Sequence, residues 1–543
     1  MVFRFAILYS LLLTALVLIP SCTTGDLIGH PNLDVWSHAW GMDWFSSQLQ
    51  SGRFPWYIEG AAWPTERILW YIDPIGATLL TPFSWLLGPI HSYNTLIGIQ
   101  IFTLGMSMWL LARKLGGSGW LAMSILCTSP VLLGEYWNGV VEAGWLAAIP
   151  LAGYLALCSS RWTGVIVGLA AMATPYHGVG AALLVSTLIL SDPKLRFAIR
   201  LRRLVIIGLV SILVALPHLL LIRASIYSPL SFVNRSIFEG YNHAVLISNA
   251  VDPMAFITPG DFWSQTVNDT KMSVPWHKTP YLGWVGIIGS IGALITRKKG
   301  MILWITVAIG ITLTLGIFLW HNGAWVTTAG GGYYKLPLGY IAQWAPLPID
   351  HPMRFVGVVV CSLAIMADRF MGRWAWVLCG LALFENLHWA PNSWPLPTSD
   401  TTIPKVYESI PNDTTAILDL PSDLGVGNRT NRYLFWQRIH GHPVPWGNKV
   451  SAIGVASKNP AVIQWASLSR DVSGYIEGLD SNAVITKETL QKENYGWIIL
   501  HLSLLKNTQE LKKYHAISKI YGTPKKYKEQ WIWDIRVQNK KSE

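Results

Sequence analysis

Residues 2–45 read VFRFAILYSLLLTALVLIPSCTTGDLIGHPNLDVWSHAWGMDWF, and this stretch gives the most direct indication of the fold class. It begins with an almost wholly apolar segment, Val2–Ile19, which has close to the about 20 residues that a helix needs to cross a bilayer. We interpret this segment as an uncleaved first span. The alternatives are a cleaved signal peptide and a lipoprotein signal ending at Cys22, but Pro20 fits the latter poorly and further apolar segments follow.

The whole chain is apolar and poor in charge. Of its 543 residues, 51% are hydrophobic and 13% are charged, whereas soluble domains carry about 25% charged residues. This composition excludes a disordered chain and a wholly soluble enzyme, and five cysteines are too few for a disulfide-rich secreted domain. We therefore expect an α-helical polytopic membrane protein.

Charge is unevenly distributed along the chain. Residues 395–543 contain 33 charged residues in 149, as in an ordinary soluble domain, whereas residues 1–394 contain only 38. The boundary falls in the proline-rich stretch APNSWPLP, residues 390–397. We predict a transmembrane domain over 1–394, with a first outer loop at 20–93, and a soluble domain over 395–543.

Eleven segments are predicted to span the membrane. They are 2–19, 94–112, 119–134, 145–159, 162–174, 178–191, 204–222, 281–296, 301–319, 353–371 and 374–390. The apolar stretch 75–87 would break the alternation of loops. Its flanking and internal prolines favour an interfacial or re-entrant helix instead.

The loops between these spans indicate an orientation. Basic clusters at 113–114, 194–203 and 297–299 all fall on one side, which the positive-inside rule assigns to the cytoplasm. The N-terminus is then inside and the C-terminal domain outside. The net charge of +11 is largely a topology signal, so we expect no nucleic-acid partner.

The first outer loop concentrates acidic and aromatic side chains. Asp34 and His38 are four residues apart, so on a helix they share a face. A carboxylate beside a histidine can act as a base or bind a cation. The alternative for His38 is a packed, hydrogen-bonded histidine. Tryptophans recur every four residues in the same loop, at Trp36, Trp40 and Trp44, and we predict that they anchor it at the membrane interface; the alternative is a platform on which a sugar stacks.

Other outward residues are candidates for the site. Glu142, in EYWNGVVE, is a second candidate acid, and His177 lies in the proline-broken turn TPYHG, which fits either a cavity lining or a plain helix connection. Arg354 in HPMRF, beside His351, is predicted to contact a phosphate through its planar fork, or else to reach lipid headgroups. Arg235 is a weaker substrate-binding candidate.

The C-terminal segment predicts a small α/β or α+β domain outside the membrane. Apolar runs at 413–424, 497–502 and 530–537 indicate strands, and 459–470 and 484–494 indicate helices. The set Asp419, Asp423, His440 and His442 lacks a nucleophile elbow or metal-ligand spacing, which argues against a hydrolase. We expect this domain to serve in recognition or to cover a site, and not to carry out chemistry of its own.

The order of several segments resembles that of the GT-C superfamily of polytopic membrane glycosyltransferases, and most closely its uncharacterised bacterial members. The matching segments include DVWSHAWGMDWF at 34–45, SPVLLGEYWNGVVEAGW at 129–145, YLGWVGIIG at 281–289 and LPIDHPMRFVGVVV at 347–360. The resemblance covers about residues 1–505 and depends on order and spacing, since the individual motifs are loose.

The resemblance implies a sugar donor carried on a polyprenyl phosphate and a cell-envelope glycan, lipid or protein as acceptor. It also implies a location in the bacterial cytoplasmic membrane. The acid of the first loop, here Asp34, would activate the acceptor or coordinate a divalent metal such as Mg²⁺ or Mn²⁺. The superfamily's frequent pair of acids is not clean here, because Asp43 lies nine residues further on; we predict that Asp43 contacts the substrate.

Two other function classes fit a polytopic chain. A lipid or glycan flippase or transporter predicts an internal repeat and charges at mid-span, and the sequence offers no repeat and few such charges. A non-catalytic scaffold for envelope assembly is the second alternative. A glycosyltransferase with Asp34, His38 and Glu142 as catalytic residues is the leading hypothesis.

Overall fold

A computed structural model describes residues 2–22, 25–61, 63–64, 67–69, 73–227, 251–258, 280–296, 302–321, 324–344, 351–389, 394–421, 428–446 and 487–536. The chain forms two compact units. The helical unit comprises Met1–Gly29, Ile72–Leu219 and Asn242–Thr398, and the sheet unit comprises His30–Tyr71, Leu220–Tyr241 and Ser399–Glu543. Most of the first outer loop therefore packs with the C-terminal segment.

Helices account for most of the described secondary structure. They are α1 (Val2–Cys22), α2 (Val35–Gln50), α3 (Pro74–Lys114), α4 (Trp120–Cys127), α5 (Pro130–Asn138), α6 (Ala148–Leu157), α7 (Thr163–Ala173), α8 (Pro175–Leu190), α9 (Phe197–Tyr227), α10 (Trp284–Ile295), α11 (Leu303–Thr314), α12 (Pro337–Trp344), α13 (Val356–Met371), α14 (Ala375–Phe384), α15 (Asn428–His440), α16 (Lys487–Lys492) and α17 (Thr508–Tyr521).

Within the described ranges, four helical stretches are long and apolar enough to cross a membrane: Val2–Ile19, Pro74–Lys114, Phe197–Leu221 and Pro352–Trp389. Five shorter apolar helical stretches accompany them, at Val141–Leu157, Thr163–Ala173, Pro175–Leu190, Trp284–Ile295 and Leu303–Thr314. The total of eleven spans stays a prediction.

The stretch 75–87 is helical and precedes the predicted span 94–112 within α3. The backbone between them is not helical at Gly88, where it adopts φ 74° and ψ 170°. Glycine tolerates a positive φ, and Pro89 after it disfavours a helical conformation at the preceding residue. The helical stretch before Gly88 is therefore distinct from the one after it, and its interfacial or re-entrant position stays a prediction.

Two buried acids in the helical unit cap helices. Asp368 accepts hydrogen bonds from Ser118 Oγ at 2.6 Å and from the Gly119 backbone N–H at 2.8 Å, just before α4. Glu385 accepts bonds from the first N–H groups of α10, including that of Val285 at 3.0 Å. A carboxylate at a helix N-terminus satisfies otherwise unpaired backbone donors, so these acids have a structural role.

Short strands lie between the helices. They are β1 (Leu27–Ile28), β2 (Tyr57–Glu59), β3 (Arg67–Leu69), β4 (Trp320–His321), β5 (Ala324–Trp325) and β6 (Thr398–Ser399). The pairs β2–β3 and β4–β5 are antiparallel hairpins.

The sheet unit contains a four-stranded mixed sheet in the order β7-β8-β10-β9. Strand β7 (Ala416–Leu420) is parallel to β8 (Tyr495–His501), while β10 (Gln530–Asp534) pairs antiparallel with both β8 and β9 (Lys525–Lys526). Every residue of β7 and β8 is buried, as expected for parallel strands with both faces covered. These strands lie within or beside the runs that predict them, whereas the predicted helix 459–470 lies outside the described residues.

Two tryptophans of the first outer loop are buried in protein, so the predicted interface anchor is wrong for them. Trp36 is 0% exposed and Trp40 is 2% exposed. The Trp36 ring lies 5.2 Å from that of Phe435, and Trp40 Nε1 donates to Gln437 Oε1 at 3.1 Å. The face of α2 that carries Trp36 and Trp40 therefore packs on helix α15, which lies almost 400 residues further along the chain.

Candidate active site

Asp34 lies at the start of α2 and is buried in the sheet unit. It occupies the N-cap position of the helix and is 3% exposed. Its Oδ1 accepts a hydrogen bond from Asn431 Nδ2 at 3.3 Å, and its backbone oxygen accepts one from Ser37 Oγ at 2.9 Å. The partial positive charge of a helix N-terminus favours a carboxylate there. The loop therefore provides a carboxylate in a site that excludes most water.

His38 and Asp43 follow on the same helix. The backbone N–H of His38 donates to the Asp34 backbone oxygen at 3.2 Å, so His38 lies one turn from Asp34, and it is 7% exposed. Asp43 is nine residues from Asp34, which at 1.5 Å per residue is about 13 Å along the helix. A close pair of acids is therefore not formed by these two.

Asp43 is instead paired with an arginine of α15. Its Oδ2 lies 3.9 Å from Arg438 Nη1. Burial raises the pKa of Asp43, and the positive charge of Arg438 opposes that rise. This geometry gives Asp43 a part in joining α2 to α15, and its predicted contact with substrate stays a prediction.

Arg354 in the helical unit forms a buried bidentate ion pair with Glu135. Its Nε and Nη2 donate to the two carboxylate oxygens of Glu135 at 2.8 and 3.0 Å. The arginine is 9% exposed and the glutamate 4% exposed. The alternative of an arginine reaching lipid headgroups is therefore wrong, because its charge is neutralised inside the unit. The two bonds use Nε and Nη2, which leaves Nη1 for a further acceptor.

Tyr176 contacts this arginine and the segment that carries it. The Tyr176 ring centroid lies 5.9 Å from the Arg354 guanidinium, and the Tyr176 hydroxyl accepts a hydrogen bond from the backbone N–H of His351 at 2.8 Å. Tyr176 packs edge-on against Phe355 with a centroid separation of 5.1 Å. The segment that carries His351 and Arg354 is thus fixed against the start of α8.

Glu142 and His177 lie near the ion pair. His177 Nε2 is 2.7 Å from the backbone oxygen of Ala143, so Nδ1 is the acceptor nitrogen of a neutral ring. Glu142 interacts electrostatically with both His177 and Arg354. The structure thus brings together three residues that the sequence proposes separately.

The 3₁₀ turn Val141–Ala147 holds this cluster in place. Trp145 Nε1 donates to Asp73 Oδ2 at 3.2 Å, and Gln100 Nε2 donates to the Val141 backbone oxygen at 2.8 Å. Asp73 in turn caps α3 by accepting a bond from the backbone N–H of Gly76 at 2.8 Å. Neighbouring helices therefore fix both ends of the turn that carries Glu142.

Some candidates have no place in this geometry. Arg235 lies outside the described residues. Within the ranges that the structure describes, no group of three or more His, Cys, Asp and Glu side chains is placed to hold a metal ion. A divalent metal at Asp34 therefore stays an implication of the resemblance, and we route no chemical step through one.

The acid and histidines of the C-terminal segment form a packed polar cluster. Asp419 is fully buried, and its Oδ1 accepts bonds from the Tyr407 hydroxyl at 2.7 Å and from His501 Nε2 at 3.0 Å. His440 stacks on Tyr407 with a centroid separation of 4.7 Å. His442 Nδ1 lies 2.8 Å from the Thr415 backbone oxygen. These contacts stabilise the fold around the carboxyl ends of β7 and β8.

Three residues with a direct part in the geometry were not among the predicted site residues. Glu135 balances the charge of Arg354. An acidic partner could have been expected from the sequence, because a buried arginine requires a counter-charge. Tyr176 adjoins His177 in the same turn. Asn431 gave no signal in the sequence, because 397 residues separate it from Asp34.

Comparison with known proteins gives a likeness in structure only. No family model and no curated protein sequence matches the chain. The mycobacterial arabinofuranosyltransferase AftD superposes with a TM-score of 0.52 at 13% identity, over 98% of this chain and 40% of AftD. The chain thus spans about two fifths of the length of that protein.

Two further solved structures superpose with lower scores. The oligosaccharyltransferase AglB of Archaeoglobus fulgidus, solved with a peptide and a dolichol-phosphate, gives a TM-score of 0.45 at 11% identity, over 96% of this chain and 70% of AglB. ArnT of Cupriavidus metallidurans, solved with undecaprenyl phosphate, gives 0.41 at 11% identity, over 98% and 97%. The superposition on AftD shows that this chain shares the fold of that protein, and its long apolar helices are those of a membrane protein.

Proposed function

We propose that the chain is a membrane glycosyltransferase that moves a sugar from a polyprenyl-phosphate donor to a cell-envelope acceptor. The reaction takes place at the outer face of the bacterial cytoplasmic membrane, with the N-terminus inside and the sheet unit outside. The observation that carries the proposal is the buried carboxylate of Asp34 at the start of the first outer loop, in a chain that shares the fold of AftD.

In this proposal Asp34 is the general base. An acceptor hydroxyl attacks the anomeric carbon of the donor sugar, and its proton passes to the Asp34 carboxylate. The bond between that carbon and the phosphate oxygen breaks, and polyprenyl phosphate leaves with the electron pair. A single displacement of this kind inverts the anomeric centre. General-base catalysis of this type contributes about 10²–10⁴-fold in rate.

Arg354 is the proposed contact for the donor phosphate. Its Nη1, which the two bonds to Glu135 do not use, is the proposed donor to the phosphate, while Glu135 holds the guanidinium plane in a fixed orientation. Glu142 and His177 are the other polar side chains proposed for this contact, with His351 three residues before Arg354 in the chain. A planar guanidinium binds phosphate oxygens in a way that a lysine does not reproduce.

The test is transfer by the purified protein in lipid nanodiscs with a panel of undecaprenyl-phosphate sugars, measured as the release of undecaprenyl phosphate. For at least one donor, Arg354→Lys should raise KM about tenfold, because the ammonium loses the fork but keeps a charge for Glu135. The exposed Arg373→Lys is the control and should leave KM unchanged. Equal KM values for the wild type and Arg354→Lys would remove Arg354 from the donor site.

A further inference from the structure

Asn431, on the first turns of α15, is a buried amide directed at the proposed base. The residue is 1% exposed. Its Nδ2 donates to Asp34 Oδ1 at 3.3 Å, and its Oδ1 is buried with no hydrogen-bond partner among the described residues. Buried amides usually satisfy both ends. The hydrogen bond that Asn431 Nδ2 donates goes to a carboxylate. A hydrogen bond to a charged acceptor is stronger than one to a neutral acceptor.

The rest of α15 holds α2 in register with Asn431. Arg432 Nη2 donates to the Pro31 backbone oxygen at 3.1 Å, just before Asp34, and its guanidinium lies 5.0 Å from the Trp36 ring centroid. Two turns further on, Gln437 accepts from Trp40 Nε1 and donates to the Gly60 backbone oxygen at 2.8 Å. The two helices are therefore joined at several points along their length.

The opposite face of α15 is anchored on the sheet. The Tyr433 and Trp436 rings lie 5.5 and 4.8 Å from the His501 ring. His501 ends β8 and is hydrogen-bonded to Asp419 of β7. The position of Asn431 is thus set by the buried core of the sheet unit, and sites held by rigid elements keep their geometry best.

We propose that Asn431 is a positioning residue for Asp34, and that the C-terminal segment takes part in the reaction by orienting the base. This inference rests on the proposed function. The amide holds the Asp34 carboxylate through Oδ1 and so fixes the orientation in which the carboxylate meets the acceptor hydroxyl. The C-terminal segment is then a component of the catalytic machinery as well as a surface for the acceptor.

A double-mutant cycle on the full-length protein in nanodiscs tests this, with undecaprenyl-phosphate sugar as donor. Asn431→Ala should lower kcat about 10- to 100-fold, the effect of losing a hydrogen bond to a charged group, and should leave the donor KM unchanged. In an Asp34→Asn background the same change should have almost no further effect, because the two residues act as a unit. Asn431→Leu, which keeps a similar size and removes the donor without adding a charge, should match Asn431→Ala.

Ile439→Ala is the matched control on α15, since Ile439 is 56% exposed, and it should keep wild-type kinetics. Melting temperatures of the wild type, Asn431→Ala, Asp34→Asn and the double variant give a measurement that does not depend on activity. Non-additive shifts for Asn431→Ala and Asp34→Asn are expected for contacting residues. Additive shifts, or an equal loss of kcat in both backgrounds, would overturn the role of Asn431. Equal transfer by the wild type and Asp34→Asn would instead overturn the proposed function itself.

Discussion

At the scale of single residues, the Arg354–Glu135 pair is the best-defined charge arrangement in the helical unit. Both side chains are buried, and both guanidinium–carboxylate bonds are at most 3.0 Å long. Isolated charges are costly in such a place, so each residue depends on the other. Glu135 thus balances the charge of the buried Arg354 guanidinium. A bound phosphate would add another anion beside the same guanidinium.

Removing Glu135 should therefore destabilise the protein. Glu135→Ala removes the ion-pair partner of the buried Arg354, at a cost of about 3–5 kcal/mol, and should lower the melting temperature of the purified protein clearly. Glu59, exposed on β2, gives the control, because Glu59→Ala should change stability by no more than about 0.5 kcal/mol. A Glu135→Ala protein that melts with the control would show that the pair does not stabilise the fold.

The residue chemistry was predictable from the sequence, but the partners were not. The sequence predicts Glu142, His177 and Arg354 as site residues, because acids, histidines and arginines in predicted outer segments suit donor binding. The structure places these three residues in one cluster. Glu135 and Asn431 were missed, since a partner is defined by contact across the fold. No local pattern relates residue 34 to residue 431.

At the scale of elements, the structure links α2, α15 and the pair β7–β8 into one assembly within the sheet unit. The apolar runs predict the strands, because a buried parallel strand has apolar residues on both faces. The face of α2 that packs on α15 could not be predicted, because the same tryptophans suit a membrane interface and a protein core. A hydropathy pattern also does not predict the kink of α3, which depends on the backbone conformation of Gly88 before Pro89.

His440, at the end of α15, should make the sheet unit sensitive to acid. Its pKa is lowered to about 4, chiefly by burial; the charge of Asp419 opposes this shift, and those of His442 and His501 add to it. The unfolded chain binds a proton near pH 6.5. Between pH 6.5 and 4 the unfolded state therefore carries more protons, and stability falls with decreasing pH by up to about 3 kcal/mol.

Melting temperatures between pH 7 and 4 measure this effect. The loss should be smaller in His440→Gln, which cannot titrate, and unchanged in His515→Gln, whose parent histidine is exposed. If His440→Gln shows the full wild-type pH dependence, His440 is not the group that titrates.

At the scale of the whole molecule, charge density and packing divide the chain differently. Charge content changes near residue 394, which is where the sequence predicts the domain boundary. The compact units instead group His30–Tyr71 with the C-terminal segment. Asp34, Trp36 and Trp40 of this loop are buried in the same unit as α15. Composition therefore predicts a boundary near residue 394, but it could not show that residues of the first loop pack with the C-terminal segment.

The central claim is that Asp34 is the base of a sugar transfer, and the rate of transfer by Asp34→Asn tests it most directly. With a donor that the wild type uses, kcat for Asp34→Asn should fall by about 10²–10⁴-fold, while Glu59→Gln, an exposed acid of the same loop, should keep the wild-type rate. Melting temperatures confirm that both proteins are folded. Transfer by Asp34→Asn at the wild-type rate would contradict the account.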